Sequence, residues 1–222
     1  MSFDAGSAAA LVSRASAVLL DFDGPICRLF ADVQAADVAA DLRGYLEQRS
    51  VTVPDDATTD PLAVLRMSAH VDAGILADLH AELVCAEVRA VGSAAPTAGA
   101  HKVIRSLAGS GRKLAVVSNN SARAVREYLT WHCLEACVSA VSARTSADPS
   151  LMKPNTYLLE QGLSALEVPP SDAVFVGDSV TDVEASIAAG MPCIGYANKP
   201  GKADRLAAAG AVEVIDSMTA LL

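Results

Sequence analysis

The sequence predicts an α/β protein: a doubly wound parallel sheet with a helical domain inserted after its first strand. Three observations predict it. Short runs that are apolar throughout recur along the chain, as strands buried on both faces of a sheet require. Segments of helical spacing separate the later runs, which is the alternation of a parallel sheet covered by helices. Between the first run and the second lie about ninety residues, far more than one crossover helix needs.

Taken in order, "AVLLDF" (17–22) is the first strand. The long interval after it reads as helical at 31–49, 61–72 and 74–90, with "VTVPDDATTDP" (51–61) as a separator. The Pro, Gly and Ala of "GSAAPTAG" (92–99) suit a linker or hinge. This places a helical lid at 27–95 and a core domain at 1–26 and 96–222. A helix over 98–109 leads into the strand "KLAVVS" (113–118), and a helix over 121–133 follows it. Helix 155–167 precedes the strand "AVFVG" (173–177), and helix 180–189 follows it. The strand "PCIGY" (192–196), helix 202–209 and the strand "AVEVI" (211–215) complete the pattern.

Composition narrows the function. With 222 residues, 52% hydrophobic and 19% charged, the chain can bury one good core and is not disordered. A net charge of −9 without a Lys/Arg cluster argues against a nucleic-acid partner. No apolar run approaches the ~20 residues of a membrane span. The N-terminus lacks a basic segment followed by a long apolar stretch, so a cytoplasmic location is expected. The five cysteines include no CxxC pair and no zinc spacing, and read as reduced structural thiols. Cys133 and Cys137, four apart, are expected on one helix face, and Trp131 and His132 in the core at a helix end.

Ligands of an open parallel sheet bind at the carboxyl ends of its strands. After the first strand come Asp21 and Asp23, then Gly24; after the second, Ser118, Asn119 and Asn120; after "AVFVG", Asp178, Ser179 and Asp182. Lys153 stands in a turn before Pro154. Clustered carboxylates without His or Cys favour a hard, oxygen-seeking ion such as Mg²⁺, which makes the paired acids tolerable. Hydroxyls, N–H groups at helix starts and one lysine favour a phosphate. A carboxylate facing a phosphate can act as nucleophile while a second carboxylate exchanges the proton. The residues thus point to phosphoryl transfer through an aspartyl phosphate.

Four motifs, "DFDG" (21–24), "VVSN" (116–119), "KP" (153–154) and "GDSVTD" (177–182), resemble in order and spacing those of the haloacid dehalogenase-like hydrolase superfamily. The resemblance covers nearly the whole chain and implies a Rossmann-like core with a C1 helical cap. It implies Asp21 as nucleophile and metal ligand. Asp23 would be the general acid/base, giving the metal its backbone carbonyl. The backbone N–H groups of Phe22 and Asp23 would bind the phosphate, together with the Ser118 hydroxyl and the Asn119 N–H. Lys153 would offset charge on the nucleophile and phosphoryl oxygens. Asp178 would ligate Mg²⁺, with Asp182 nearby, acting through water or by holding Lys153. Pro25 departs from the usual Thr or Val after the glycine, so an altered turn is expected there, with activity retained.

Within that superfamily, the Asp at position 23 argues against a dehalogenase. The lack of any lysine before Lys102 excludes a phosphonatase, which needs one in its cap. The expected activity is a Mg²⁺-dependent phosphatase acting on a small phosphorylated metabolite. A sugar-phosphate mutase resembling β-phosphoglucomutase is the main alternative, and a non-catalytic regulatory member a more distant one. Positions 28–95 hold eleven acids and five arginines, which argues against a substrate with several extra negative groups. Arg43, Arg49, Arg66, His70, His80 and Tyr45 are the candidate contacts to the leaving group.

Overall fold

The computed structural model describes residues 7–52 and 59–222. Part of the predicted separator at 51–61 therefore falls outside the described residues. Six strands form one parallel sheet in the order β5-β4-β1-β6-β7-β8. They are β1 (Ala17–Leu20), β4 (Lys113–Ser121), β5 (Ala140–Arg144), β6 (Ala173–Gly177), β7 (Cys193–Tyr196) and β8 (Glu213–Ile215). The first strand in the sequence is the central one, pairing β4 on one side and β6 on the other.

Side chains alternate across a strand, and β1 divides the core accordingly. Val18 and Leu20 face α1 (Ala8–Arg14), α5 (Ala100–Gly109) and α6 (Ala122–Trp131), through residues such as Leu11, Ile104 and Tyr128. Ala17 and Leu19 face α7 (Tyr157–Leu166), α8 (Val180–Ala188) and α9 (Lys202–Ala209), through Leu159, Val183 and Leu206. Both faces are covered, as the uniformly apolar runs require.

The interval between β1 and β4 contains α2 (Ala35–Glu47), α3 (Pro61–Met67) and α4 (Ala73–Val91). These helices bury a cluster of their own around Leu42, Leu46, Leu65, Leu79 and Leu83, which Met152 also joins. Where the chain leaves and re-enters, β2 (Cys27–Arg28) pairs antiparallel with β3 (Ala95–Pro96). The last turn of α4 belongs to the main core, with Ala90 and Val91 packed in the cluster that holds Tyr128.

Several expectations are corrected. The helix expected over 61–72 stops at Met67, where Ser68 caps it and its hydroxyl bonds back to Val64 O at 2.8 Å. Asp72 then starts a new helix, its side chain accepting from Gly74 N at 2.8 Å. Strand β5 and helix α1 were not expected. β5 lacks an apolar run because Ser142 and Arg144 fill buried positions, their polar groups bonded to Leu158 O (2.7 Å) and Asn119 O (2.9 Å). α1 is a short alanine-rich helix capped by Ser7. Cys133 and Cys137 do not share a helix: α6 ends at Trp131, Cys133 has φ +52°, and Cys137 lies in a separate 3₁₀ turn. Trp131 is not a core residue but 59% exposed. No helix among the described residues is long and apolar enough to cross a membrane.

Candidate active site

The predicted stations meet at the carboxyl edge of the sheet. Asp21 continues β1, its N–H donating to Val176 O at 2.9 Å. The chain then turns sharply, with Gly24 at φ +117°, Gly24 N–H bonded to Cys27 O (2.7 Å) and Ile26 N–H to Phe22 O (3.2 Å). Thr97 from beyond the helical interval clamps the turn by donating to Gly24 O at 2.6 Å. Pro25 sits inside this turn and is buried. The N–H groups of Phe22 and Asp23 donate to no protein acceptor among the described residues. The Phe22 ring is buried edge-on against Tyr128, at 5.2 Å between centroids.

Lys153 is the electrostatic centre. It is 2% exposed, and its ammonium meets Asp21 Oδ1 at 2.9 Å, Asp182 Oδ1 at 2.6 Å and Val117 O at 3.1 Å. All three donors are thereby used. Burial works against its charge, but Asp182 and Asp21 more than offset that and raise its pKa. Asn119 holds the lysine's backbone in place, accepting from Lys153 N (2.8 Å) and donating to Lys153 O (3.2 Å). The register between β4 and β5 shifts after Ser118, so Asn119 and Asn120 stand in an irregular stretch of the strand, a device that re-aims side chains. Ser118 Oγ is buried, within 3.2 Å of both Asn120 N and Asn120 Oδ1.

Asp182 also completes a capping box with Ser179, its Oδ2 accepting from the N–H groups of Asp178 and Ser179 at 3.0 Å each. Gly177 makes this approach available, because a Cβ there would stand 2.5 Å from Asp182 Cβ. Asp21, Asp178 and Asp182 each offer a carboxylate oxygen within 4.8 Å of the others. Asp178 packs on Gly24, where an added Cβ would come within 2.4 Å of its Cγ. On its other side Asp178 Oδ2 accepts from Asn198 Nδ2 (3.0 Å) and from Lys202 Nζ. Burial pushes the Asp21 carboxyl up to about 7; Lys153 opposes the shift, and Asp182 and Asp178 add to it. Burial also pushes Asp23 up to about 6, against the Leu29 N–H that bonds its Oδ1 at 2.9 Å. Asp178 is raised by burial too, with Lys202 opposing.

A cavity of ≈ 710 Å³ opens beside Asp23 and Asp178, lined also by Arg28, Phe30, Tyr196, Asn198 and Lys199. A second cavity, ≈ 510 Å³, lies around Ser16, Lys113 and Asp172 at the opposite edge of the sheet. None of the six residues expected to contact a leaving group lines the cavity beside Asp23. Arg49 instead lies 3.5 Å over the Tyr45 ring, Tyr45 donates to Asp78 at 2.9 Å, and Arg66 pairs with Asp60 at 3.7 Å. From the interval, Arg28, Phe30 and Ala35 line the cavity, and Arg28 is the charged one.

The sequence model of the haloacid dehalogenase-like hydrolases matches residues 66–196, more than half of the chain. The protein belongs to this family. It is similar in fold to CbbY from Rhodobacter sphaeroides, solved with phosphate (19% identity over 92% of this chain and 95% of that one, TM-score 0.65). A predicted phosphatase from Clostridium acetobutylicum is also similar (19% identity, 93% and 96% covered, TM-score 0.72). So is a putative phosphoglycolate phosphatase from Lactobacillus plantarum (14% identity, 92% and 96% covered, TM-score 0.66). No curated protein matches the chain.

In this member of the hydrolase family, several residues around the site escaped the reading of the sequence, among them Arg28 and Lys199 of the cavity wall. Asn198 and Lys202, which engage Asp178, follow β7. The rule that sampled the ends of the other strands would have reached Asn198 had it been applied to "PCIGY" as well. Glu87 was also missed. From α4 it reaches the end of β4, accepting from Ser121 N at 2.8 Å and Asn120 Nδ2 at 3.2 Å.

Proposed function

We propose that the protein is a Mg²⁺-dependent phosphatase that hydrolyses a small phosphomonoester through an aspartyl phosphate on Asp21. The observation that carries this reading is the buried Lys153 ammonium between Asp21 (2.9 Å) and Asp182 (2.6 Å). It favours the ionised form of Asp21 and engages only one of its two oxygens, leaving the other for attack. Asp23, on the cavity wall rather than in that ion pair, is the separate acid the reaction needs.

An Asp21 oxygen attacks phosphorus, the bond to the leaving oxygen breaks, and Asp23 gives its proton to the leaving alkoxide. Asp23 then takes a proton from the water that attacks the aspartyl phosphate, which releases phosphate and restores Asp21. The Ser118 hydroxyl and the N–H groups of Phe22, Asp23 and Asn119 hold the phosphoryl oxygens, and Lys153 balances their charge. The donor set suits a hard divalent cation, since it contains only carboxylates and carries more negative charge than Lys153 balances. Asp21, Asp178 and the Asp23 carbonyl would hold Mg²⁺, and Asp182 supports the site through Lys153. Bound there, Mg²⁺ supplies Lewis-acid stabilisation of phosphoryl charge. Residues 27–95 serve as a cap that closes over the cavity and excludes water. The phosphate in the CbbY complex and the xylulose-1,5-bisphosphate bound to a CbbY mutant support a phosphorylated metabolite as substrate.

The test is phosphate release from p-nitrophenyl phosphate and a panel of small phosphomonoesters, with and without Mg²⁺. Turnover that requires Mg²⁺ and disappears in a folded Asp21→Asn variant is the expected result. Absence of phosphate release from every ester by folded wild-type protein would overturn the reading.

A further inference from the structure

The cavity beside Asp23 does not share the acidity of the helical interval as a whole. Its acids are Asp23 and Asp178, and Asp178 is already engaged by Lys202 and Asn198. Its cations are Arg28 and Lys199, and among the described residues neither side chain is ion-paired or hydrogen-bonded. The remaining wall is largely apolar, with Phe30, Ala35, Pro96 and Tyr196.

The two cations come from independent elements. Arg28 is on β2, where the register with β3 sets Cys27 opposite Pro96; Cys27 is buried and Arg28 exposed. Lys199 follows β7, one residue after Asn198. Of the groups proposed to hold the phosphoryl unit and of the nucleophile, Phe22, Ser118, Asn119, Lys153 and Asp21 are buried and do not line this cavity, whereas Asp23, also the proposed proton donor to the leaving group, does. The cavity is therefore the space beyond the scissile bond. At ≈ 710 Å³ it has the size of a small-ligand site.

We propose that Arg28 and Lys199 select a phosphomonoester whose leaving group carries a second anionic group, a carboxylate or another phosphate. The inference rests on the phosphatase reading for the direction of the substrate, with its leaving group toward Asp23. It replaces the expectation, drawn from the acidity of the lid, that extra negative charge is disfavoured. Most of those acids lie away from the cavity: of the charged residues in 28–95, the cavity wall includes only Arg28.

The experiment compares matched esters. Phosphoglycolate against 2-hydroxyethyl phosphate tests a carboxylate, and propane-1,3-diol bisphosphate against 3-hydroxypropyl phosphate tests a second phosphate. Each is measured as kcat/KM in wild type and, as direct binding by calorimetry, in Asp21→Asn. The member of at least one pair that carries the second anionic group is expected to be preferred by about tenfold or more, the range of a charge-assisted hydrogen bond. Arg28→Gln and Lys199→Gln should each reduce that ratio, Arg28→Lys should retain part of it, and Arg28→Glu should reverse it. The pair that shows the preference identifies the carboxylate or the phosphate. Equal handling within both pairs, or ratios unchanged in the variants, overturns the proposal. Preferential binding without turnover of any ester would sustain this inference while the phosphatase reading fails.

Discussion

Glu87 and Arg144 form a fully buried ion pair, 2.8 Å apart, between α4 of the inserted interval and the end of β5 in the sheet. Arg144 Nε also donates to Asn119 O at 2.9 Å, and Glu87 accepts from Ser121 N, so the pair backs the irregular end of β4 that carries Ser118 and Asn119. Removing one partner of such a pair leaves an uncompensated buried charge, which costs about 3–5 kcal/mol. Arg144→Met should lower the urea-unfolding free energy by that order. The double variant Glu87→Leu/Arg144→Met should recover much of the loss, because it leaves no charge stranded. A double variant as unstable as the single one would mean that the hydrogen bonds of Glu87 to Asn120 and Ser121 matter more than its charge.

The Lys153 cluster makes a separate prediction about rate. Asp182→Asn keeps an oxygen for the helix cap but loses the charge that anchors Lys153. Phosphate release should fall by about 10–100-fold, the usual cost of losing a supporting partner. Lys153→Met should fall much further, since Asp21 and Asp182 would then face each other without a cation. Equal losses in the two variants would argue that Asp182 does more than position the lysine.

Stability should respond to Mg²⁺ in a pH-dependent way. Burial raises Asp21 to about 7 and Asp23 to about 6, above the ordinary 3.8. A raised carboxylate pKa means stabilisation that is present below about pH 4 and is lost as pH rises through 6 and 7. A divalent cation favours the ionised forms and offsets that loss. The gain in melting temperature on adding Mg²⁺ should therefore be larger near pH 8 than near pH 5. His80 shifts the baseline the other way: burial, and next Arg144, lower it to about 4, so its contribution is lost as pH falls from 6.5. Comparing each pH with and without Mg²⁺ cancels that term. A gain independent of pH would place the cation away from these carboxylates.

Gly24→Ala tests the cradle. The new methyl would stand 2.4 Å from Asp178 Cγ at a backbone φ of +117°, so Asp178 or the turn must move. Strain of about 1–3 kcal/mol is expected, together with loss of most Mg²⁺-induced stabilisation in a melting experiment. If the Mg²⁺ response survived intact, Asp178 would not be among the ligands.

What was legible in the sequence follows from where each residue lies. β1 and β6 were readable because strands buried on both faces must be apolar throughout. β5 was not, because Ser142 and Arg144 stand at its buried positions and find their hydrogen-bond partners, Leu158 O and Glu87, on other elements. Asp21, Asp23, Ser118, Asp178 and Asp182 could be nominated together because strand ends in one parallel sheet share an edge, and Lys153 by its turn before Pro154. Arg28 could not, since only the pairing of β2 with β3 sets its place on the cavity wall. The same limit explains the other residues of the helical interval: helical spacing marks which face is apolar, but not which flank overlooks the cavity.

The central position of β1 also has a consequence for how the chain is made. A ribosome adds about 5–20 residues per second, and about ninety residues separate β1 from the start of β4. The four apolar residues of β1 therefore emerge about 5–20 s before their first neighbour in the sheet exists, and β6 arrives later still. During that wait α2, α3 and α4 emerge, the helices whose Leu42, Leu65 and Leu83 pack together in the folded protein. The nascent chain thus has a local packing partner for its helices long before it has one for its first strand, and β1 is the segment most in need of shelter on the way to the folded state.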